Sequence, residues 1–173
     1  ELEKMGVPRN APFVCLHGRD SAYLNTTFVD ENWRYQNYLD VDIETFIPAA
    51  EEIVSRGYFV IRMGAVVDKP LNPTCSEIID YATTFRSEFM DIFLSSKCSF
   101  YFGTPSGLNA VPMIFRRPRA ITNFPQLEHA YTWSPNELFI PKKMWLKKDR
   151  RLMSFPEIIE SGVGKFNRTE KYE

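Results

Sequence analysis

The sequence has few cysteines and two histidines, and both shortages limit the chemistry open to it. Cys15, Cys75 and Cys98 are odd in number and widely spaced, and the sequence contains no Cys-x-x-Cys pair or Cys/His cluster. This pattern argues against a disulfide framework and a zinc site, and it favours reduced thiols in a cytoplasmic protein. Because His17 and His129 are the only imidazoles, a Ser-His-Asp hydrolase is disfavoured.

Long apolar runs and an excess of charge of one sign are also missing. No run is long enough to span a membrane or to form the core of a secretory signal. The net charge is −1, which argues against nucleic acid or an anionic membrane held by bulk charge. With 173 residues, of which 44% are hydrophobic, the chain fits one domain with a sizeable core. We expect a single domain over 1–173, with flexible ends at 1–11 and 162–173.

The chain does contain an alternation of strand-like and helix-like segments. Strands are predicted at 13–16, 58–63, 78–82, 99–103, 119–123 and 138–140. Helices are predicted at 43–56, 87–96 and 107–115, and after Ser154, whereas 21–41 is predicted to be a long loop. Phe89, Ile92 and Phe93 are expected on one face of helix 87–96. The alternation predicts a Rossmann-like α/β fold, with a mostly parallel sheet covered by helices on both faces.

Polar clusters follow three of the predicted strands, at residues 17–20, 62–64 and 103–107. The carboxyl ends of parallel strands share one edge of a sheet, where ligands bind near a topological switch point, so we expect the clusters to converge. The last cluster, Gly-Thr-Pro-Ser-Gly, precedes a predicted helix. Free N–H groups and the helix dipole favour phosphate at such a point.

The spacing within this turn excludes several familiar sites. No Gly-Lys-Ser/Thr follows, so it is not a Walker loop, and it does not match Gly-x-Gly-x-x-Gly. It also lacks the Gly-x-Ser-x-Gly spacing of a nucleophile elbow. Ser106 is predicted as the N-cap or first residue of the helix, with its hydroxyl available to a phosphate.

The cluster after the first strand has two interpretations. Arg19 is suited to grip phosphate oxygens and to neutralise a diphosphate leaving group. In that case His17 would hydrogen-bond a ribose, base or sugar. Alternatively Arg19 and Asp20 form an ion pair that anchors the loop, and His17 is a satisfied buried polar residue.

Two further charged residues also leave alternatives open. Arg62, late in an apolar strand, either contacts a ligand or pairs with Asp68 or Asp91, because an unpaired charge there is costly. Asp91 either faces solvent or accepts hydrogen bonds from a base edge or ribose.

Four segments taken together resemble a bacterial family of glycosyltransferases related to the fucosyltransferase-type GT-B enzymes. They are HGRD, IRMGAVVDKPL, IIDYATTFRSEFMDIFLSSKCSFYFGTPSGLNAVPMIFRRP and LFIPKKMW. The resemblance covers about residues 12–160, and its most specific part is 89–118. It implies the C-terminal, donor-binding half of a GT-B enzyme.

The resemblance also implies roles for individual residues. Arg19 and His17 match a His-x-Arg motif whose arginine holds the donor diphosphate. Asp91 matches a nucleoside-binding aspartate, and Ser106 a phosphate-contacting serine. Asp20 follows the motif without the further basic residue that some relatives carry, so a GDP-fucose-like donor is favoured without being fixed. The predicted nucleotide-sugar site is His17, Gly18, Arg19, Asp20, Arg62, Gly64, Asp91, Gly103, Thr104, Ser106 and Gly107, with Arg19 as the catalytic residue.

The activity that the resemblance implies is transfer of a sugar from a nucleoside-diphosphate donor to a glycan acceptor, as in surface-polysaccharide synthesis. No metal is expected, since arginine and N–H groups stabilise the charge. A GT-B enzyme needs two halves, so we expect an N-terminal acceptor-binding half or a partner chain; otherwise this half has lost activity. The basic residues in 142–151 are either a solvated face or a patch for such a partner. The alternative function is a non-catalytic nucleotide- or sugar-binding module within a larger assembly.

Overall fold

The predicted alternation of strands and helices folds into one parallel sheet. The computed structural model of the protein describes residues 1–130 and 134–173. Within these residues the sheet has the strand order β3-β2-β1-β4-β5-β6, and every neighbouring pair runs parallel. The six strands are β1 Phe13–His17, β2 Phe59–Arg62, β3 Ile78–Ile79, β4 Tyr101–Gly103, β5 Arg119–Phe124 and β6 Glu137–Pro141. The predicted Rossmann-like α/β class is confirmed.

Helices and a small hairpin complete the described part of the chain. The hairpin pairs β7 Trp145–Leu146 with β8 Arg151–Leu152 in antiparallel register. The α-helices are α1 Ala22–Thr27, α2 Ile47–Ser55, α3 Tyr81–Thr84, α4 Glu88–Lys97, α5 Ala110–Ile114 and α6 Phe155–Ser161. Short 3-10 helices are Glu3–Met5, Arg34–Leu39, Ile43–Phe46, Gly107–Asn109, Leu127–His129, Val163–Lys165 and Thr169–Lys171. No helix in the described residues is long and apolar enough to cross a membrane.

Capping residues stand at the start of several helices. The Asp42 carboxylate accepts a hydrogen bond from a backbone N–H two residues on, at the start of the 3-10 turn that leads into α2. Ser87 caps α4 through its side chain. At α6 the backbone N–H of Ser154 donates to the Glu157 carboxylate over 2.8 Å, which forms half of a capping box. These signals act within one turn, so they are visible in the sequence.

The core lies on both faces of the sheet because side chains alternate along each strand. Cys15 and Ile61 belong to one buried cluster, which α4 covers, whereas Leu16 and Val60 belong to a second, which α2 covers. The sheet is therefore buried on both sides at its centre, and its carboxyl edge is left for polar residues.

Some boundaries differ from the predictions. The third strand is two residues long and leads directly into α3, and segment 21–41 contains α1 and a 3-10 helix. The predicted helix 107–115 divides into a 3-10 turn and α5, because Pro112 lacks the N–H needed to continue a helix from Gly107 and is tolerated in a first turn. The segment between the predicted strands 119–123 and 138–140 includes residues 131–133, which lie outside the described residues.

Helix α4 buries a different face from the expected one. Met90 and Leu94 are buried, whereas Phe89 is 74% exposed and Ile92 is exposed as well. The row that meets the sheet is spaced by four residues, from Met90 through Leu94 to Cys98. The segments expected as flexible ends also make contacts, since Val7 is fully buried in the core.

Candidate functional site

The strand order reverses direction between β1 and β4, which lie side by side at the centre of the sheet. Ligands of such sheets bind in the crevice outside the strand carboxyl ends at this switch point. Here the two strand ends are held in register, with His17 opposite Gly103, and the Thr104 N–H donates to the His17 carbonyl over 3.0 Å. The segments that follow β1 and β4 therefore leave the sheet next to each other.

A cavity of about 620 Å³ opens at this point. The structure brings eight of the eleven predicted site residues to its lining, from segments that are far apart in the sequence. These eight are His17, Gly18, Arg19, Asp20, Gly64, Asp91, Ser106 and Gly107. Their role in binding stays a prediction.

Arg62 does not reach the cavity. Its side chain is completely buried and donates to Asp80 over 2.9 Å and to the Lys69 carbonyl over 3.2 Å. The predicted ion pair with Asp68 or Asp91 is therefore wrong, and the expected ligand contact is not supported. The reason is strand alternation, which directs the Arg62 side chain to the same buried face of the sheet as Val60.

Gly103 and Thr104 lie beneath the cavity rather than in its lining. A Cβ at Gly103 would lie 2.1 Å from the His17 carbonyl oxygen, so only glycine allows the two strands to approach this closely. Thr104 is fully buried, and its hydroxyl accepts a hydrogen bond from the Arg19 backbone N–H over 2.8 Å. These two predicted ligand contacts are instead supports for the residues above them.

His17 and Ser106 meet across the switch point. Ser106 Oγ lies 3.3 Å from His17 Nδ1, although 89 residues separate the two in sequence. Burial lowers the pKa of His17 to about 4, and the positive charges of Arg62 and Arg19 add to the effect. The imidazole is therefore neutral near pH 7. Ser106 occupies the predicted N-cap position, but its hydroxyl bonds to His17 rather than capping the helix.

Arg19 is paired, but with a different carboxylate from the expected one. Its guanidinium forms an ion pair with Asp40 and donates to the Gln36 carbonyl over 3.3 Å and to Gln36 Oε1 over 3.2 Å. The predicted Arg19–Asp20 pair is wrong. The Asp20 carboxylate instead accepts hydrogen bonds from the backbone N–H of Ala22 over 2.9 Å and from that of Asp68 over 3.1 Å.

Asp91 is anchored at the cavity lining rather than turned only towards solvent. The Tyr81 hydroxyl donates to its carboxylate over 2.9 Å, and Arg86 forms an ion pair with it over 3.0 Å. Burial and then the nearby Asp91 carboxylate raise the pKa of Tyr81 to about 12. The Tyr81 hydroxyl therefore stays protonated and keeps donating at physiological pH.

One wall of the cavity is the 3-10 helix Arg34–Leu39, which we call the wall helix and which lies in the segment predicted to be a long loop. Gln36 and Leu39 line the cavity. Lys142 donates to the carbonyl of Tyr38 over 2.5 Å, and Thr169 accepts from the Tyr38 N–H over 3.0 Å. These partners are more than 100 residues away in the sequence. No local pattern could have revealed them.

The cavity lining combines charged, polar and apolar side chains. Arg19, Asp20 and Asp91 supply charge, and Gln36 and Ser106 add polar groups. The apolar side chains come from α1, the wall helix and the loop after β2: Leu24, Leu39, Ala65, Val66 and Val67. Such a mixed lining suits a ligand with an anionic group and a less polar ring or side chain.

The predicted phosphate-binding turn differs from the expected helix start. The helix after the Gly-Thr-Pro-Ser-Gly turn begins as a three-residue 3-10 turn, so its dipole contributes less than a long α-helix would. Within residues 1–130 and 134–173, no group of three His, Cys, Asp or Glu side chains is arranged to hold a metal ion.

The fold and the site thus define an α/β Rossmann-like domain with a ligand-sized cavity at its switch point. No family model matches the sequence, and no curated protein matches it. Among solved structures, the chain is similar to the bacterial iron-containing dodecameric glycosyltransferase TibC from enterotoxigenic E. coli H10407, with 20% identity and a TM-score of 0.47. The match covers 78% of this chain and 33% of TibC, so the chain spans about a third of that protein's length. This likeness assigns neither an activity nor a ligand to the present chain.

Proposed function

We propose that the chain is the donor-binding half of a metal-independent GT-B glycosyltransferase, which moves a sugar from a nucleoside diphosphate to a glycan acceptor. The observation that carries this proposal is the cavity at the β1–β4 switch point, where Arg19, His17 and Ser106 meet. The sequence resemblance to fucosyltransferase-type enzymes supports the donor class, with a GDP-fucose-like donor favoured.

The lining residues suit the parts of such a donor. The Arg19 guanidinium would offer several N–H donors to a diphosphate. The Ser106 hydroxyl, held by the neutral His17, supplies a further hydrogen bond. The volume of about 620 Å³ lies within the usual range for small-molecule sites.

In the proposed reaction, the bond between the sugar and the diphosphate breaks while the acceptor oxygen bonds to the sugar. The negative charge that develops on the leaving diphosphate is the charge that Arg19 would stabilise. The acceptor and the base that deprotonates it belong, in this proposal, to an acceptor-binding half or a partner chain.

The first test is calorimetric binding of GDP, UDP and ADP to the protein. Arg19→Ala should weaken binding by at least ~1.5 kcal/mol, the size of a charge-assisted hydrogen bond. Arg34→Ala is the matched control, because Arg34 is an exposed arginine of the wall helix that does not line the cavity. Thermal unfolding of both variants checks that each is folded.

The proposal fails if none of the three nucleotides binds, or if Arg19→Ala binds as tightly as Arg34→Ala. If the nucleotides do bind, release of GDP from GDP-fucose in the presence of the acceptor-binding half would separate a glycosyltransferase from a non-catalytic nucleotide- or sugar-binding module. Turnover would exclude a role in binding alone.

A further inference from the structure

We propose that Asp40 competes with the ligand's anionic group for Arg19 and thereby sets the affinity of the cavity. This inference rests on the proposed function, because it assigns Asp40 a role in the same site. It identifies an affinity-determining residue that neither the sequence motifs nor the resemblance indicated.

The first argument is the geometry around Arg19. The guanidinium is held by Asp40 and by two oxygens of Gln36, so three of its contacts go to one segment of chain. The Arg19 side chain is only 10% exposed. A phosphate that approaches from the cavity therefore meets an arginine whose charge is already matched by an internal carboxylate.

The second argument is that Asp40 is more exposed than its partner and can give way. Its side chain is 23% exposed, and it follows the wall helix instead of lying inside a secondary-structure element. The wall helix is held independently of Asp40, since Lys142 and Thr169 bond to Tyr38 and the Tyr38 ring stacks on Tyr172 at 5.1 Å. Loss of the Arg19–Asp40 contact would therefore leave the wall in place.

The third argument is the charge around Asp40. Burial raises its pKa to about 6, Arg19 and Lys142 oppose the rise, and Asp20 and Asp68 add to it. An anionic ligand at Arg19 would repel the Asp40 carboxylate further and favour its protonation. Competition therefore couples ligand binding to uptake of a proton near neutral pH.

The test is calorimetric titration with GDP-fucose, whose diphosphate bridge does not titrate between pH 5 and 8. Asp40→Asn should raise affinity roughly tenfold at pH 7.5, equivalent to one charge-assisted interaction regained. The gap between the variant and the natural protein should nearly vanish at pH 5, where Asp40 is mostly neutral. In paired buffers at pH 6.5, the natural protein should take up protons on binding and Asp40→Asn should take up fewer.

Controls separate competition from general charge effects. Asp68→Asn removes a nearby negative charge without touching Arg19 and should change affinity much less. Asp40→Ala is the second variant, because asparagine can still hydrogen-bond to Arg19. Thermal unfolding confirms that both Asp40 variants are folded.

Each outcome has a defined meaning. The inference is overturned if the Asp40 variants bind GDP-fucose as weakly as, or more weakly than, the natural protein, or if Asp68→Asn gives the same gain. If Arg19→Ala still weakens binding in that case, the proposed function stands without the competition. If no variant binds any of the nucleotides, the proposed function itself is wrong and the inference falls with it.

Discussion

Two arginine–aspartate pairs at the ends of neighbouring strands belong to different regions of the molecule. Arg62, the last residue of β2, and Asp80, which follows β3, are 0% and 8% exposed, and neither lines the cavity. Arg19 and Asp40, after β1, are 10% and 23% exposed, and Arg19 lines the cavity itself. The comparison shows that a strand-end arginine takes its role from the direction of its side chain and the burial of its partner.

The Gly103–Gly107 turn also contains one buried residue and one cavity-lining residue at its two ends. Gly103 lies against the backbone of His17, whereas Gly107 lines the cavity with open space around it. We therefore expect substitutions of the buried residues Arg62, Asp80 and Gly103 to reduce stability. Substitutions of cavity-lining residues such as Arg19 should instead reduce binding.

The largest expected effect comes from breaking the buried pair. Arg62→Ala should lower the free energy of unfolding by about 3–5 kcal/mol, because it leaves the Asp80 carboxylate buried without its counter-ion. Asp80 also accepts hydrogen bonds from the Leu71 N–H and the Thr83 hydroxyl, so loss of its counter-ion would also disturb the segments around Leu71 and Thr83. Urea denaturation measures the change, with Arg19→Ala as the matched arginine variant. If Arg62→Ala and Arg19→Ala destabilise the protein equally, the buried arginine and the cavity-lining arginine do not differ in their contribution to stability.

The next effect compares the two glycines of the turn. Gly103→Ala should cost roughly 1–3 kcal/mol, because its Cβ would collide with a backbone oxygen that has little room to move. Gly107→Ala should change stability by less than about 0.5 kcal/mol, since a Cβ there meets no atom within 4 Å. Thermal or urea unfolding of both variants checks the difference. A Gly107→Ala variant as unstable as Gly103→Ala would contradict it.

The smallest expected effect is a change in pH dependence. The folded-state pKa of His17, about 4, lies below its ordinary 6.5, so its contribution to stability is lost as pH falls from 6.5 to 4. The folded-state pKa of Asp40, about 6, lies above its ordinary 3.8, so its contribution rises as pH falls from 6 to 4. The two opposing contributions partly cancel in the natural protein.

Single substitutions should uncover each contribution. Between pH 6 and 4.5, Asp40→Asn should lose more unfolding free energy than the natural protein, and His17→Gln should lose less. Urea denaturation at several pH values gives the difference. If the unfolding free energies of all three proteins change with pH in parallel, His17 and Asp40 do not cause the pH dependence.

The sequence predicts the local features of this molecule well and its long-range pairings poorly. Strand β1, the Asp42 and Ser154 helix starts and the convergence of strand-end segments follow from patterns within a few residues and from the rules of parallel sheets. The partner of Arg62 and the partner of Arg19 do not, because each depends on how a loop folds back. The buried face of α4 was missed for a similar reason, since Phe89 and Met90 are both apolar and only the packed sheet selects between them.

The wall helix has a consequence for the order in which the molecule folds. Its ties run from Tyr38 to Lys142 and to Thr169, across 104 and 131 residues. Contacts of such sequence separation close large loops of chain and are favoured only once the intervening segments are already compact. The central strands can pair without these contacts, so we expect the wall helix to dock after the sheet has formed. Ligand binding would then report that Tyr38 has reached the C-terminal segment that holds it.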